Sequence, residues 1–294
     1  MDTSAILQNR IDFCGIIVAE RCNPNGDPIN GNVPRQDFNG NGIISDVCLK
    51  RKIRDRLSEN GYEIFIVKQE NLLDEQKSLH GKVKAESDMV RAAKSKDRTA
   101  YRKTACEKWI DVRAFGQVFA FKSSKASKES EEEAGISECV RGPVSIQDAV
   151  SLDYITVIQK NLTKSVNSND PSSRSERSSD TMGTRYQIEY GAYVFRGSIY
   201  PQLAKITGFT YGDALAIKNA IINMFMNDAS AARPAGSITL DRLYWWEHNC
   251  PNGQYSPAKV FRTLQFSPMD VPPPYYKAEL LNLPGLEPEV IEGW

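Results

Sequence analysis

Histidine is nearly missing from this sequence: His80 and His248 are the only two among 294 residues. Neither stands in a Ser/Cys–His–Asp setting, and Cys250 beside His248 precedes Pro251 in a turn-like stretch, so nucleophilic catalysis has no recognisable machinery. The six cysteines (Cys14, Cys22, Cys48, Cys106, Cys139, Cys250) form no CxxC pair. Few imidazoles and no paired thiols leave a zinc centre without ligands, so no metal or other cofactor is expected. There is no GxxxxGK[ST], and no GxGxxG between a strand and a helix, which removes the common nucleotide-binding loops. No apolar run approaches the length of about 18 residues that a membrane span needs. The start MDTSAILQNR lacks the basic end and apolar stretch of a signal peptide. A soluble, cytoplasmic protein with no membrane partner is expected. Net charge is also missing: 37 basic residues balance 37 acidic ones. That counts mildly against a nucleic-acid binder. Local fields steer a polyanion, however, and the charge here is uneven. Lys82–Lys108 carries nine basic residues against four acidic, whereas Glu129–Glu138 and the tail after Ser267 are acidic.

What is present is concentrated between Ala19 and Leu57. Ile11–Glu20 (IDFCGIIVAE) is rich in β-branched residues and predicts a buried strand. Cys22–Gly42 is dense in Asn, Gly and Pro, the residues of turns. Ser45 or Asp46 then caps a helix that runs to about Leu57. At about 100° per residue, Leu49, Ile53 and Leu57 share a narrow arc, with Lys50, Arg51 and Arg54 on the far side. Such a unit suits a polyanion, because loop amides can point at phosphate oxygens while Lys and Arg neutralise charge. A basic run alone is usually a solvated helix face. The long loop before it favours function, since long loops in compact domains tend to be functional.

One motif misleads. DFNGNGIISDVC (Asp37–Cys48) has the first positions of a calcium loop, but Cys48 stands where a bidentate Glu should coordinate the ion.

Further along, Tyr62–Lys68 predicts a second strand. Glu70–Lys108 predicts a helical insertion whose thin apolar content (Leu72, Leu73, Leu79, Val83, Met89, Val90) packs loosely on the body. Trp109–Phe121 restores a core, and Lys122–Glu138 is a polar loop. Ser151–Leu162 and Arg185–Tyr200 have strand character and flank a polar tip, which predicts a protruding hairpin with Arg174, Arg177 and Arg185 at its far end. A disordered tip fits the composition equally well. Tyr211–Asp228 is the clearest helix, Ile238–Trp246 a further strand, and the chain after Phe266 a proline-rich acidic arm or tail. This order fits an open α+β sheet.

The runs NPNGDP, NVPR and GNGIISDVCLKRKIRDRL closely resemble the N-terminus of the backbone subunits of Cascade, the CRISPR surveillance complex, especially those of type I-C. DVRAFG (Asp111–Gly116), RGPVSI (Arg141–Ile146), TMGTRYQIEYGAYVF (Thr181–Phe195) and ASAARPAG (Ala229–Gly236) follow in the same order, so the resemblance spans most of the chain. It implies a modified RRM-like (ferredoxin-like) palm from residues 1–69 with 139–266, a helical insertion (70–138), a thumb hairpin (160–190) and a C-terminal arm (267–294). It further implies a non-catalytic subunit that lines up in several copies along CRISPR guide RNA beside other Cascade subunits. Target DNA would be met through the guide. The RNA contacts expected are Arg21, Asn23, Asn25, Arg35, Lys50, Arg51 and Arg54. Arg174, Arg177 and Arg185 are expected on the thumb, Met182 as a wedge against a base, and Arg233 in the ASAARPAG turn. Related backbone subunits in other CRISPR types cleave RNA with a loop aspartate. A metal-dependent endoribonuclease using Asp27, Asp37 or Asp46 is therefore the alternative.

Overall fold

Strand β1 (Ile11–Glu20) sits in the middle of the main sheet and is buried along almost its whole length. The computed structural model describes residues 2–67, 78–120, 137–163, 182–269 and 276–293. After β1 come β2 (Gly26–Asp27), β3 (Val33–Pro34), β4 (Asn41–Ile44), α1 (Asp46–Glu59), α2 (Leu79–Ala85), α3 (Ser87–Lys94), α4 (Arg98–Lys108) and α5 (Ile110–Phe115). Then follow β5 (Gly116–Phe119), β6 (Glu138–Arg141), β7 (Val144–Ile146), β8 (Ala149–Tyr154), β9 (Val157–Thr163), β10 (Met182–Ile188) and β11 (Tyr190–Ile199). The last third holds α6 (Pro201–Thr207), α7 (Tyr211–Ile222), β12 (Ile238–Glu247), α8 (Pro257–Phe261), β13 (Leu264–Pro268), β14 (Tyr276–Leu280) and β15 (Glu289–Glu292). The fold is mixed α and β, with an antiparallel sheet ordered β15-β12-β1-β11-β8-β4 and β7 alongside β11.

Because side chains alternate across a strand, β1 serves two layers. Ile11, Phe13, Ile17 and Ala19 join Phe195, Leu243 and Trp245 under Leu49, Ile53 and Leu57 of α1 and Ile217 and Ile221 of α7. Cys14 and Ile16 join Val194, Tyr244 and Trp246 under Val260, Leu264, Tyr276, Leu283 and Leu286. A bulge at Asp241, where the register passes from Ile16–Arg242 to Ile17–Leu240, keeps Leu240 and Leu243 on the same face. Gly197 lies opposite Phe13, and a Cβ there would stand 2.2 Å from the Phe13 ring. The glycine is what lets that ring lie flat enough to stack on Trp245 at 5.4 Å.

Several expectations need correction. Tyr62–Val67 forms no strand; the amides of Phe65 and Ile66 instead donate to the buried Asp111 carboxylate at 2.7 and 3.1 Å. A carboxylate thus replaces a strand partner. The helices of the insertion do not pack loosely. Val83, Met89, Tyr101 and Cys106 enclose a second core with Phe65, Trp109, Phe119 and Val140, residues that lie outside the helices themselves. Each long strand expected around the hairpin is two strands. β9 and β10 pair only with each other, while β8 and β11 belong to the main sheet. Of the expected polar loop Lys122–Glu138, residues 122–136 lie outside the described residues and Glu138 opens β6; the hairpin tip between 164 and 181 also lies outside them. In the tail, β14 pairs with β13 and β15 pairs with β12, so this segment lies on its own body.

The cysteines report on this packing. Cys139 is exposed and Cys14 and Cys106 are buried. Burial pushes the Cys14 thiol up to about 12 and that of Cys106 up to about 11. Since the thiolate is the reactive form, an alkylating reagent at neutral pH is expected to modify Cys139 first. Cys14 and Cys106 should follow only on unfolding, and early label at Cys14 in peptide mass spectra would contradict the packing.

Candidate nucleic-acid interface

The long loop between β1 and α1 is held by its own side chains. Ser45 caps α1 by accepting from the Cys48 amide at 3.3 Å, and both its own N–H and its hydroxyl donate to Asn25 Oδ1, at 2.9 and 3.0 Å. Asn23 is buried and donates through Nδ2 to the Asn32 carbonyl at 2.7 Å. Asp27 accepts from Arg35 at 3.3 Å, Asp37 accepts from the amides of Asn39 and Asn41 at 2.8 Å, and Asp46 accepts from Lys50 at 2.8 Å. Asn23 and Asn25, both expected at the RNA, have side chains engaged in shaping the loop.

Three segments quoted from the sequence converge at the root of this loop. The Arg21 amide donates to the Glu189 carbonyl at 2.9 Å, and the Ile188 amide donates to the Cys22 carbonyl at 2.8 Å. This ties the loop to the base of the β9–β10 hairpin. The amides of Glu20 and Asn23 donate to Ser237 and Ala232, which ties the same root to the ASAARPAG turn. Arg21 stands at the junction in left-handed backbone (φ 48°) with a side chain 76% exposed and only Glu20 nearby, at 3.8 Å. A non-glycine residue held there is strained, and such strain gathers at functional sites. Arg185 on β10 lies directly opposite Lys160 on β9. Like charges facing each other across two strands repel unless an anion lies between them. Among the described residues neither has an ion pair.

Helix α1 departs from expectation. Its cations do not form a solvated face, since Lys52, Arg54 and Arg56 are buried. Buried charge has to be paired. Lys52 therefore meets Asp228, Arg54 meets Asp111 at 2.9 Å, and Arg56 donates to the Met226 carbonyl at 2.9 Å. Burial pulls the Lys52 amine below its usual range, with Asp228 opposing that shift. Arg54, expected as a phosphate contact, also lies over the Phe115 ring at 5.1 Å, so its guanidinium is engaged within the fold. Arg51, paired with Asp55 at 3.3 Å, is the half-exposed cation of the outer face. Lys50 borders a groove of about 910 Å³ shared with Gln117, Arg141, Tyr200 and Gln202. Arg233 is held at 3.0 Å by the Asp228 that also binds Lys52. Met182 is the first residue of β10, whereas Arg174 and Arg177 lie outside the described residues.

The sequence reading missed Lys52, Asp228 and Lys160. Lys52 could have been found, because it lies three residues after Leu49 on the apolar arc. Asp228 and Lys160 carry no such signal, since their roles depend on long-range packing and register.

Rival chemistry is present in residue type but not in connectivity. Ser198, Asp12 and His248 are buried together, yet Asp12 is central: Ser198 donates to its Oδ1 at 2.6 Å. The Gln254 amide donates to His248 Nδ1 at 3.0 Å, so the ring proton is on Nε2, 2.9 Å from Asp12 Oδ2. The serine thus donates to the carboxylate rather than to the imidazole, and it is buried. Among the described residues no three His, Cys, Asp or Glu side chains cluster as a metal site. No helix described is long and apolar enough to cross a membrane.

A sequence profile of the family described as CRISPR-associated protein Cas7 matches residues 9–279. The CRISPR-associated protein Cas7 of Haloferax volcanii is 28% identical over 250 residues, covering 80% of this chain and 69% of that one. A chain of a solved CRISPR RNA-guided surveillance complex (pre-nicking) superposes with a TM-score of 0.50 at 15% identity, covering 90% of this chain and 84% of the other. At that identity the likeness speaks for the fold alone.

Proposed function

The chain belongs to the family of CRISPR-associated protein Cas7, and on that premise we propose that it is a non-catalytic, RNA-binding backbone subunit of a type I-C-like Cascade complex in the cytoplasm. In this reading the main sheet with α1 and α7 is a modified RRM-like palm, the segment around α2–α4 an insertion, and the β9–β10 hairpin a thumb. Copies repeat along the guide RNA beside other Cascade subunits and present it to target DNA. Sequence information is carried by base pairing, so the protein reads backbone and shape.

The observation that carries the reading is the junction at Arg21–Asn23, where loop, hairpin and ASAARPAG turn are hydrogen-bonded into one unit. It sets the exposed cations Arg21 and Lys160 and the half-buried Arg185 on its loop and hairpin, and Arg35 and Arg51 along the loop and α1. An RRM stacks bases on an open sheet face. Here one face is covered and the other is covered at its centre by α8, β13, β14, Leu283 and Leu286, which moves the RNA to the loops and hairpin. The aspartates Asp27, Asp37 and Asp46 each bind a neighbouring amide or cation, which supports the turn role over the nuclease role.

Changing Arg21, Lys160 and Arg185 together to Ala is expected to lower the salt dependence of single-strand RNA binding by about 2, at roughly 0.7 per lost phosphate contact. Arg54→Ala should leave that slope unchanged. Filter binding across a salt series checks both, and an unaltered slope in the triple variant would sink the interface. Divalent-metal-dependent RNA cleavage lost on changing Asp27, Asp37 or Asp46 to Ala would establish the nuclease instead.

A further inference from the structure

The second face of the sheet is covered at its centre but bare at its β8–β4 end. Val150 and Tyr154 of β8, with Val194 opposite Val150, follow the alternation that leads into the covered layer. Past the edge of that cover, Tyr154 is 75% exposed and Val150 37% exposed. A further apolar residue joins them from a neighbouring segment: Phe38, in the turn before β4, is fully exposed.

The turn that displays Phe38 is fixed rather than loose. Asp37 accepts from the amides of Asn39 and Asn41, Gly40 is in left-handed backbone (φ 82°), and the Ile155 amide donates to the Gly40 carbonyl at 3.0 Å. Gln36 donates to the carbonyls of Gly40 and Ile155. The turn is thereby fastened to the end of β8, with Tyr154 beside Gly40. A small crevice of about 80 Å³ opens next to it, lined by Leu152, Tyr154, Tyr190 and Tyr276. Rigidly presented aromatics beside a crevice are the anchors on which protein interfaces rely.

Charge decides what covers them. The rim carries Asp37, Asp148 and Asp153, and among the described residues none of the three has an ion pair. Such a rim repels a polyanion and attracts a basic protein surface. This chain has one. The exposed turn between α3 and α4 presents Arg91, Lys94, Lys96 and Arg98, and Lys94 and Lys96 have no ion pair among the described residues. The patch flanks the N-terminal end of α1, whereas the chain enters the insertion from the other end of that helix. A contact between two different surfaces of identical chains repeats without closing into a pair.

We propose that the Phe38–Tyr154 patch seats the Arg91–Arg98 turn of a second copy of this chain. The proposal rests on the backbone reading only in that repetition along a strand calls for such a contact. The test uses the full chain in sedimentation velocity, both RNA-free at rising concentration and on a long single-stranded RNA. Phe38→Ala with Tyr154→Ala is expected to weaken association between copies about thirtyfold, the size of a hot-spot truncation. Both side chains are exposed, so the variant should melt with the parent.

Asp148→Lys with Asp153→Lys should weaken association too. Mixing that variant with Lys94→Glu/Lys96→Glu should restore it. Association unaffected by the aromatic changes, or no rescue in the charge exchange, overturns the proposal. So does loss of binding to a short RNA that spans a single protomer, since the patch would then be a nucleic-acid contact. If the parent bound no RNA while the patch variants still lost self-association, the RNA reading would fail and the seat would stand.

Discussion

Asp111→Ala is expected to lower stability by about 3–5 kcal/mol, because it strands a buried cation. The Asp111 carboxylate is 1% exposed and is the meeting point of three parts of the chain. It accepts from Arg54 Nε of α1 at 2.9 Å and from the amides of Phe65 and Ile66 at 2.7 and 3.1 Å, while belonging itself to the first turn of α5. Removing it leaves the Arg54 guanidinium buried over Phe115 without a counter-charge, and two backbone donors without acceptors. In a chain of this size the loss corresponds to a fall in Tm on the order of 10 °C. Asp111→Asn keeps the shape and should lose less. Adding Arg54→Met to Asp111→Ala should recover part of the loss, since replacing both members of a buried pair is far milder than removing one. Thermal melts of the four proteins decide it. A single variant that melts with the parent would mean that Arg54 reaches water, and the helix–insertion junction would have to be redrawn.

The second large effect is expected at Asp12. Its carboxylate is fully buried between Arg10, His248 and Ser198, at 2.9, 2.9 and 2.6 Å. Arg10 extends the group by donating to the carbonyls of Asn252 and Tyr255. Asp12→Ala should cost about 3–5 kcal/mol for the same reason as Asp111→Ala, a buried Arg left without its partner. The site also resembles a hydrolase triad in composition, so the variant has a second readout. If the group is structural, the folded fraction at low temperature should bind RNA as the parent does, while urea midpoints fall. A variant with parental stability that lost a hydrolytic activity would reverse that assignment.

Much of the architecture was legible where a local rule set it. The β-branched run Ile11–Glu20 could only be a buried strand, and Ser45 capped α1 at the position its hydroxyl required. What stayed hidden was decided at long range. Tyr62–Lys68 has every local feature of a strand, but the carboxylate forty-odd residues later takes its amides. The helical wheel placed Arg54 away from the core. It could not know that Phe115 and Asp111 would close over that flank. The candidate site was legible as motifs and illegible as a place. NPNGDP, TMGTRYQIEYGAYVF and ASAARPAG were all picked out, and only backbone hydrogen bonds around Arg21 show that they are neighbours. The Lys160–Arg185 pairing depends on a register that no spacing reveals.

The central strand has a temporal consequence as well. β1 finds its two sheet partners only in β11 and β12, both at least 170 residues downstream. At a translation rate of roughly 5–20 residues per second, this strand leaves the ribosome roughly 10–35 s before either partner exists. Until then α1 can cover only one face of the strand, and its other residues have nothing to cover them but a chaperone or another nascent chain. Yield in the cell should therefore respond to growth temperature and chaperone supply more than to any property of the finished molecule.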